Sequence, residues 1–121
     1  ASVDRRVDRR AFERVEISGD ITMHFGDKVS RGILIDVSVG GGLGMFSAKM
    51  PLPQILEKVI VDVKLDSGAK AAGLDGFVLR VQAAEAFMDS ENIKIAVKFL
   101  DLSADKTKEL KKLINSISGV N

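Results

Sequence analysis

Two clusters of residues in this chain could do chemistry. The first is an arginine-rich stretch at the start. Residues 1–14 hold five arginines (Arg5, Arg6, Arg9, Arg10 and Arg14) against Asp4, Asp8 and Glu13, and no lysine, although lysine is common elsewhere in the chain. Arginine presents a planar, permanently charged fork suited to phosphates and guanine edges, whereas lysine presents a point charge. The second cluster is Asp36-Val37-Ser38-Val39-Gly40-Gly41-Gly42. Asp36 and Ser38 are two apart on a strand and so project from one face, with Ile35 and Val37 pointing the other way. An aspartate can accept two hydrogen bonds from the N1–H and N2–H of a guanine, and a serine hydroxyl can donate to a phosphate or accept from a base. Glycines directly after them let a ligand approach the backbone and expose N–H groups to an anion.

Each cluster alone has a plain structural reading. The arginines suit a solvated, partly neutralised tail, and Asp36 and Ser38 suit a strand ending at a glycine turn. The glycine run is no Walker phosphate loop, because no Lys-Ser/Thr follows Gly44, and no dinucleotide fingerprint, because no long helix follows it.

The rest of the chain supplies elements that position these clusters. Its 121 residues, 45% hydrophobic and 29% charged, fit one soluble domain with its own core. The absence of cysteine excludes a disulfide framework, a thiol nucleophile and a cysteine metal site, and a single histidine, His24, excludes a histidine cage. No apolar run reaches the roughly 20 residues of a membrane span. No charged-then-apolar leader is present, so the chain reads as cytoplasmic or as an excised domain.

Residues 1–13 lack periodicity and read as a flexible arm. From Arg14, Val15, Ile17, Ile21, Met23 and Phe25 alternate with polar residues as a half-buried first strand, with a bulge expected at Gly19. After a turn at Gly26-Asp27-Lys28, a second strand is expected with Val29, Ile33, Ile35 and Val37 on one face and Ser30, Gly32, Leu34, Asp36 and Ser38 on the other. Gly40–Gly44 reads as a bend before a short third strand at Met45-Phe46. Val59, Val61, Val63 and Leu65 mark a fourth strand, and Asp66-Ser67-Gly68 turns it back. Phe77, Leu79, Val81 and Ala83 share one face of a fifth. A loop through Asp89-Ser90-Glu91-Asn92 leads to a sixth, with Ile93, Ile95, Val97 and Phe99. The period then changes: Leu110, Leu113, Ile114 and Ile117 form a helix face over 103–118, with Ser103 as N-cap and Gly119 at its end. Six short strands without intervening helices predict a mainly β fold, an antiparallel barrel or sandwich spanning 14–101, with the helix packed over an open end or a face.

Together the two clusters are more specific than either alone. Arg10-x-x-x-Arg14 lies just before the first strand, and Asp36-x-Ser38-x-x-Gly41 closes the second. This arrangement resembles the PilZ domain, a bacterial receptor for cyclic di-GMP, whose signature is R-x-x-x-R followed one hairpin later by [D/N]-x-S-x-x-G. The resemblance runs over the whole chain, as a single domain of residues 1–121. It implies a six-stranded antiparallel β-barrel that binds rather than catalyses, with no catalytic residue, no metal, no cofactor, no nucleic acid and no insertion into a membrane. It implies that Arg10 and Arg14 contact the ligand's phosphates and guanine Hoogsteen edges, that Arg9 assists at a second guanine, and that Asp36 and Ser38 hold a guanine. Gly41 would let that guanine lie close, with Gly40 and Gly42 assisting the bend. The glycine run leaves the register open among Gly40, Gly41 and Gly42, and Arg6-x-x-x-Arg10 also fits the arginine spacing. The implied role is a receptor or adaptor whose arm closes over the ligand and whose ordered surface signals to a partner protein or adjacent domain, in processes such as motility or biofilm formation.

The alternative reading is a β-barrel that docks a partner protein without nucleotide. Single-stranded nucleic acid suits the chain poorly, with six Phe and no Tyr or Trp. Arg80, on the polar face of the fifth strand, either flanks the ligand surface or is a solvated strand residue. His24 reads as a surface residue with no nucleophile beside it.

Overall fold

A computed structural model describes residues 17–83 and 92–118 of the chain. Six strands run β1 (Gly19–Phe25), β2 (Lys28–Ser38), β3 (Gly41–Ser47), β4 (Lys58–Leu65), β5 (Lys70–Ala83) and β6 (Asn92–Phe99), followed by the helix α1 (Ala104–Ser118). All pairings are antiparallel, and the order β1-β2-β3-β6-β5-β4 closes into a barrel. The expected fold is therefore the observed one, and closure leaves none of the described strands at a sheet edge. The expectations for Val15, the loop through Asp89, Ser90 and Glu91, and Gly119 lie outside the described residues.

Alternation places the core where the sequence puts it on β1, β4 and β6. Ile21, Met23 and Phe25, then Val59, Val61, Val63 and Leu65, then Ile95, Val97 and Phe99 all point inward and are buried. No bulge forms at Gly19, which opens β1 in regular pairing with Leu65.

The second strand corrects the expectation. Its inward residues are Ser30, Leu34 and Val37, while Val29 and Ile33 stand outside at 55% and 62% exposure. The inward row instead holds Ser30, Gly32 and Leu34. A Cβ on Gly32 would run into the Met45 carbonyl oxygen and lie 2.7 Å from the buried ring of Phe46, and one on Gly44 would lie 2.5 Å from Ile21 Cγ2 and 3.0 Å from that ring. Neither position has room for a side chain. Ser30 is the buried polar side chain on this face, and its hydroxyl donates to the Pro51 carbonyl, so its burial leaves no unmet hydrogen bond.

The fifth strand also departs from the expected pattern. It begins seven residues earlier than expected, at Lys70 rather than Phe77. Val78 faces inward, Phe77 is half-buried and Leu79 is 50% exposed, because the register shifts between Val78 and Arg80.

The helix starts as the sequence indicates. The Ser103 hydroxyl accepts the Lys106 amide at 3.2 Å, an N-cap bond. Leu110 and Leu113 are buried, and Ile114 and Ile117 are half-buried. The helix touches β5 and β2, which lie opposite one another in the six-strand ring, so it crosses an open end of the barrel rather than lying along one face. Lys106 Nζ donates to the Ala72 carbonyl at 2.7 Å, and the Ala72 amide donates to Glu109 Oε1 at 3.3 Å, tying the first half of the helix to the start of β5.

Truncating Leu113, which is 1% exposed, should therefore open a cavity between cap and barrel. Leu113→Ala is expected to lower unfolding free energy by about 2–4 kcal/mol, whereas Ser103→Ala should cost about 1 kcal/mol. Urea denaturation followed by circular dichroism checks both.

Candidate functional site

The candidate site is built by an irregularity in β2. Leu34 pairs with Gly44 on β3, but the next pair is Asp36 with Leu43, so Ile35 is an extra residue on β2. In a strand, successive side chains alternate between faces, and one inserted residue reverses the phase. Leu34 points inward; without the bulge Asp36 would follow it inward. With the bulge, Asp36 and Ser38 point outward and are exposed, and Val37 between them is buried. The pair thus shares the outer face, as expected. The apolar Ile35 takes up the bulge instead of sharing the inner face with Val37.

The corner after Ser38 is tight. β2 and β3 are joined by the two-residue turn Val39-Gly40, and β3 begins at Gly41. The glycine run is therefore mostly strand, not the bend the sequence suggests. Gly41 pairs with Ser38 on one side and with Lys98 of β6 on the other. The Ser38 hydroxyl accepts the Gly40 amide at 3.2 Å and makes a long contact to the Gly41 carbonyl at 3.4 Å. Asp36 Oδ1 accepts the adjacent Val37 amide at 2.9 Å. Oδ2 of Asp36 has no hydrogen-bond partner among the described residues.

The three glycines differ in what they require. A Cβ on Gly41 would lie 2.2 Å from the Val97 carbonyl oxygen, so no side chain fits there without moving β6. A Cβ on Gly42 would meet only ordinary contacts from 3.6 Å outward, and one on Gly40 only the Ser38 hydroxyl at 3.9 Å. Among the three registers the sequence leaves open, Gly41 is the position where packing between strands demands glycine.

Arg9, Arg10 and Arg14 lie outside the described residues. His24 is not part of this corner. Its Nε2 lies 2.8 Å from Asp62 Oδ2 on β4, and Asp62 Oδ1 accepts the Gly73 amide at 2.8 Å. Sequence reasoning missed this bridge, because His24 and Asp62, 38 positions apart, are brought together only by β1–β4 pairing. Among the described residues no group of three or more His, Asp and Glu is placed to hold a metal ion. No described helix is long and apolar enough to cross a membrane.

Comparison with known proteins agrees with this architecture. The sequence model of the PilZ domain matches residues 8–116. No curated protein matches the chain. Among solved structures, the PilZ domain of YcgR from Escherichia coli with c-di-GMP is similar at 16% identity and a TM-score of 0.68, over 84% of this chain and 87% of that one. MrkH from K. pneumonia in its apo state is similar at 18% identity and a TM-score of 0.64, over 86% of this chain. PlzA from Borreliella burgdorferi in complex with c-di-GMP is similar at 16% identity and a TM-score of 0.56, over 90% of this chain. The alignments span about half of those two longer chains, 46% of MrkH and 48% of PlzA. At these identities the likeness establishes the fold.

The difference between the glycines is measurable. Gly41→Ala should destabilise the barrel by about 1–3 kcal/mol through overpacking against β6, whereas Gly40→Ala should leave the thermal unfolding midpoint nearly unchanged.

Proposed function

The chain belongs to the PilZ domain family, and from that premise we propose that it is a receptor for cyclic di-GMP. The observation that carries the reading is the outward projection of Asp36 and Ser38 from the end of β2, an outcome of the Ile35 bulge. A carboxylate oxygen without a protein partner is available to a guanine edge, and a hydroxyl held only by long, exposed hydrogen bonds can be re-used by a ligand. The YcgR PilZ domain with c-di-GMP and PlzA in complex with c-di-GMP, proteins of the same fold, lend support.

In this reading residues 1–121 form one domain: an arginine-bearing arm over 1–13, a barrel over 14–101 and the helix over 103–118. Arg10 and Arg14 contact the phosphates and guanine Hoogsteen edges, and Arg9 adds a contact at a second guanine. Asp36 and Ser38 hold one guanine against the corner formed by Gly40, Gly41 and Gly42. The function is recognition rather than catalysis, carried out in the bacterial cytoplasm. Closure of the arm over the ligand creates a new surface, and a protein partner or neighbouring domain reads that surface.

One observation favours a second reading. Ile55, Leu56 and Leu79 are exposed by 50–69%, as an apolar docking surface for a partner that binds without nucleotide would be. Arm amide resonances that shift on adding cyclic di-GMP alone speak for the receptor; resonances that shift only with a protein partner speak for the docking module.

Isothermal titration tests the receptor directly. The chain should bind cyclic di-GMP and discriminate against cyclic di-AMP and GTP. Arg10→Ala or Arg14→Ala should each weaken binding about tenfold or more, the worth of one charge-assisted hydrogen bond. Asp36→Ala should erode guanine selection more than overall attraction. Equal affinity for all three nucleotides, or none for cyclic di-GMP, rules the receptor out.

A further inference from the structure

One turn of the barrel places a large side chain where its backbone calls for glycine. Residues 54–57 lead into β4. The Glu57 amide donates to the Gln54 carbonyl at 3.0 Å and closes a four-residue turn, and Leu56, the third residue of that turn, has φ 71°. A positive φ at this position of a turn favours glycine. Leu56 is also the first residue of a bulge. Its amide donates to the Val78 carbonyl at 2.7 Å, and the Val78 amide donates to the Glu57 carbonyl at 3.0 Å, so two residues entering β4 face one residue of β5. Left-handed backbone at the start of such a bulge is again a place for glycine, and a leucine held there is strained.

The strain brings no packing in return. Leu56 is 69% exposed, and Ile55 before it 56%. On β5 the residue after Val78 is Leu79, the extra residue of the shift between Val78 and Arg80, and it too stands in solvent. Two backbone irregularities therefore meet at Val78, and both present aliphatic side chains outward. Ile55 and Leu56 also line a groove of about 470 Å³ that reaches Leu52 and the turn at Asp27 and Lys28.

Charge decides what this face can take. Lys58 opens β4 two residues after Leu56, and Arg80 follows Leu79 on β5. Both are exposed, and neither has a hydrogen bond or ion pair among the described residues. The nearby carboxylates do not offset them. Glu57 Oε1 accepts the Gln54 amide at 2.8 Å, Asp27 has Lys28 beside it, and Asp75 lies beyond Phe77 from Arg80 along β5. Exposed aliphatic groups rimmed by uncompensated cations fit a polypeptide that carries both apolar side chains and carboxylates.

We propose that the turn over 54–57 and the Leu79 bulge form a docking surface for an acidic, apolar segment of a partner protein. The segment's apolar side chains cover Ile55, Leu56 and Leu79, and its carboxylates meet Lys58 and Arg80. The inference rests on the docking surface of the second reading and names its partner's chemistry; it does not depend on nucleotide binding. Lys28, on the groove, opens β2, and Asp36 lies near the other end of that strand, roughly 25 Å away along an extended chain.

The test is selection of a random dodecapeptide library, displayed on phage, against the immobilised full chain, followed by fluorescence anisotropy of the enriched peptides with the wild type and variants. Enriched sequences should combine leucine, isoleucine or phenylalanine with aspartate and glutamate. Leu56→Gly should weaken their binding about tenfold or more, the worth of one buried leucine. The same change should raise the thermal unfolding midpoint by roughly 2–4 °C, because glycine relieves the backbone; a leucine kept for packing would lower it, and that result overturns the inference. Lys58→Glu and Arg80→Glu should each weaken binding roughly threefold. Enriched peptides that are basic or uncharged overturn the acidic partner while leaving a docking surface in place. No enrichment, or peptides that bind Leu56→Gly as tightly as the wild type, removes that surface and the second reading with it. A chain that dimerises in sedimentation equilibrium, and that Leu56→Gly makes monomeric, assigns the face to a second copy and overturns the partner segment. A failed titration with cyclic di-GMP leaves each of these outcomes as it stands.

Discussion

Side chains along a strand alternate strictly between two faces, and in a closed barrel one of those faces has a fixed, small volume. That constraint governs most of this molecule. At the β2–β3 pair the buried ring of Phe46 lies against Gly32 and Gly44, and neither glycine has room for a side chain. Ser30 turns inward with its hydroxyl satisfied by Pro51, and the larger Val29 and Ile33 turn outward. Full burial of a phenylalanine stabilises by about 1.5–3 kcal/mol.

The same alternation would hide the polar residues that a binding surface needs. Leu34 and Val78 both point into the core, and strict alternation would carry Asp36 and Arg80 in behind them. A carboxylate or guanidinium there would lose its hydration without a partner, at a cost of several kcal/mol. One inserted residue in each strand, Ile35 in β2 and Leu79 in β5, reverses the phase and brings both charges out in one row. Both inserted residues are apolar, so the bulges themselves add nothing chemical; what they do is re-aim their neighbours.

Helix α1 completes the enclosure. A barrel closed around its circumference is still open at its ends, and Leu110 and Leu113 enter one of them. The cap is held to β5 by the Lys106 and Glu109 contacts to Ala72, on the strand that also carries Arg80. Asp36 and Ser38 on β2, and Arg80 on β5, therefore stand on the sheet itself, not on a loop.

Much of this was legible from the residues. The strands β1, β4 and β6 and the helix face read directly, because their apolar residues keep one period from end to end. The motif pair Asp36 and Ser38 was legible too, since two-residue spacing on a strand means a shared face. Three things were not. The inner face of β2 was misread because Val29 and Ile33 look like core by composition, whereas pairing with β1 and β3 turns Ser30, Gly32 and Leu34 inward instead. The glycines of β3 look like a bend because glycine is common in turns; pairing with β2 on one side and β6 on the other makes them strand, and the Val97 carbonyl is what forbids a side chain at Gly41. The outward placement of Arg80 depends on the register between β5 and β6, where Leu79 is the extra residue. That register is set only by pairing between strands, and a single bulge decides on which face the residue appears. Local periodicity thus determined what kinds of elements form, while the contents of the barrel and the registers between strands decided which side chains meet.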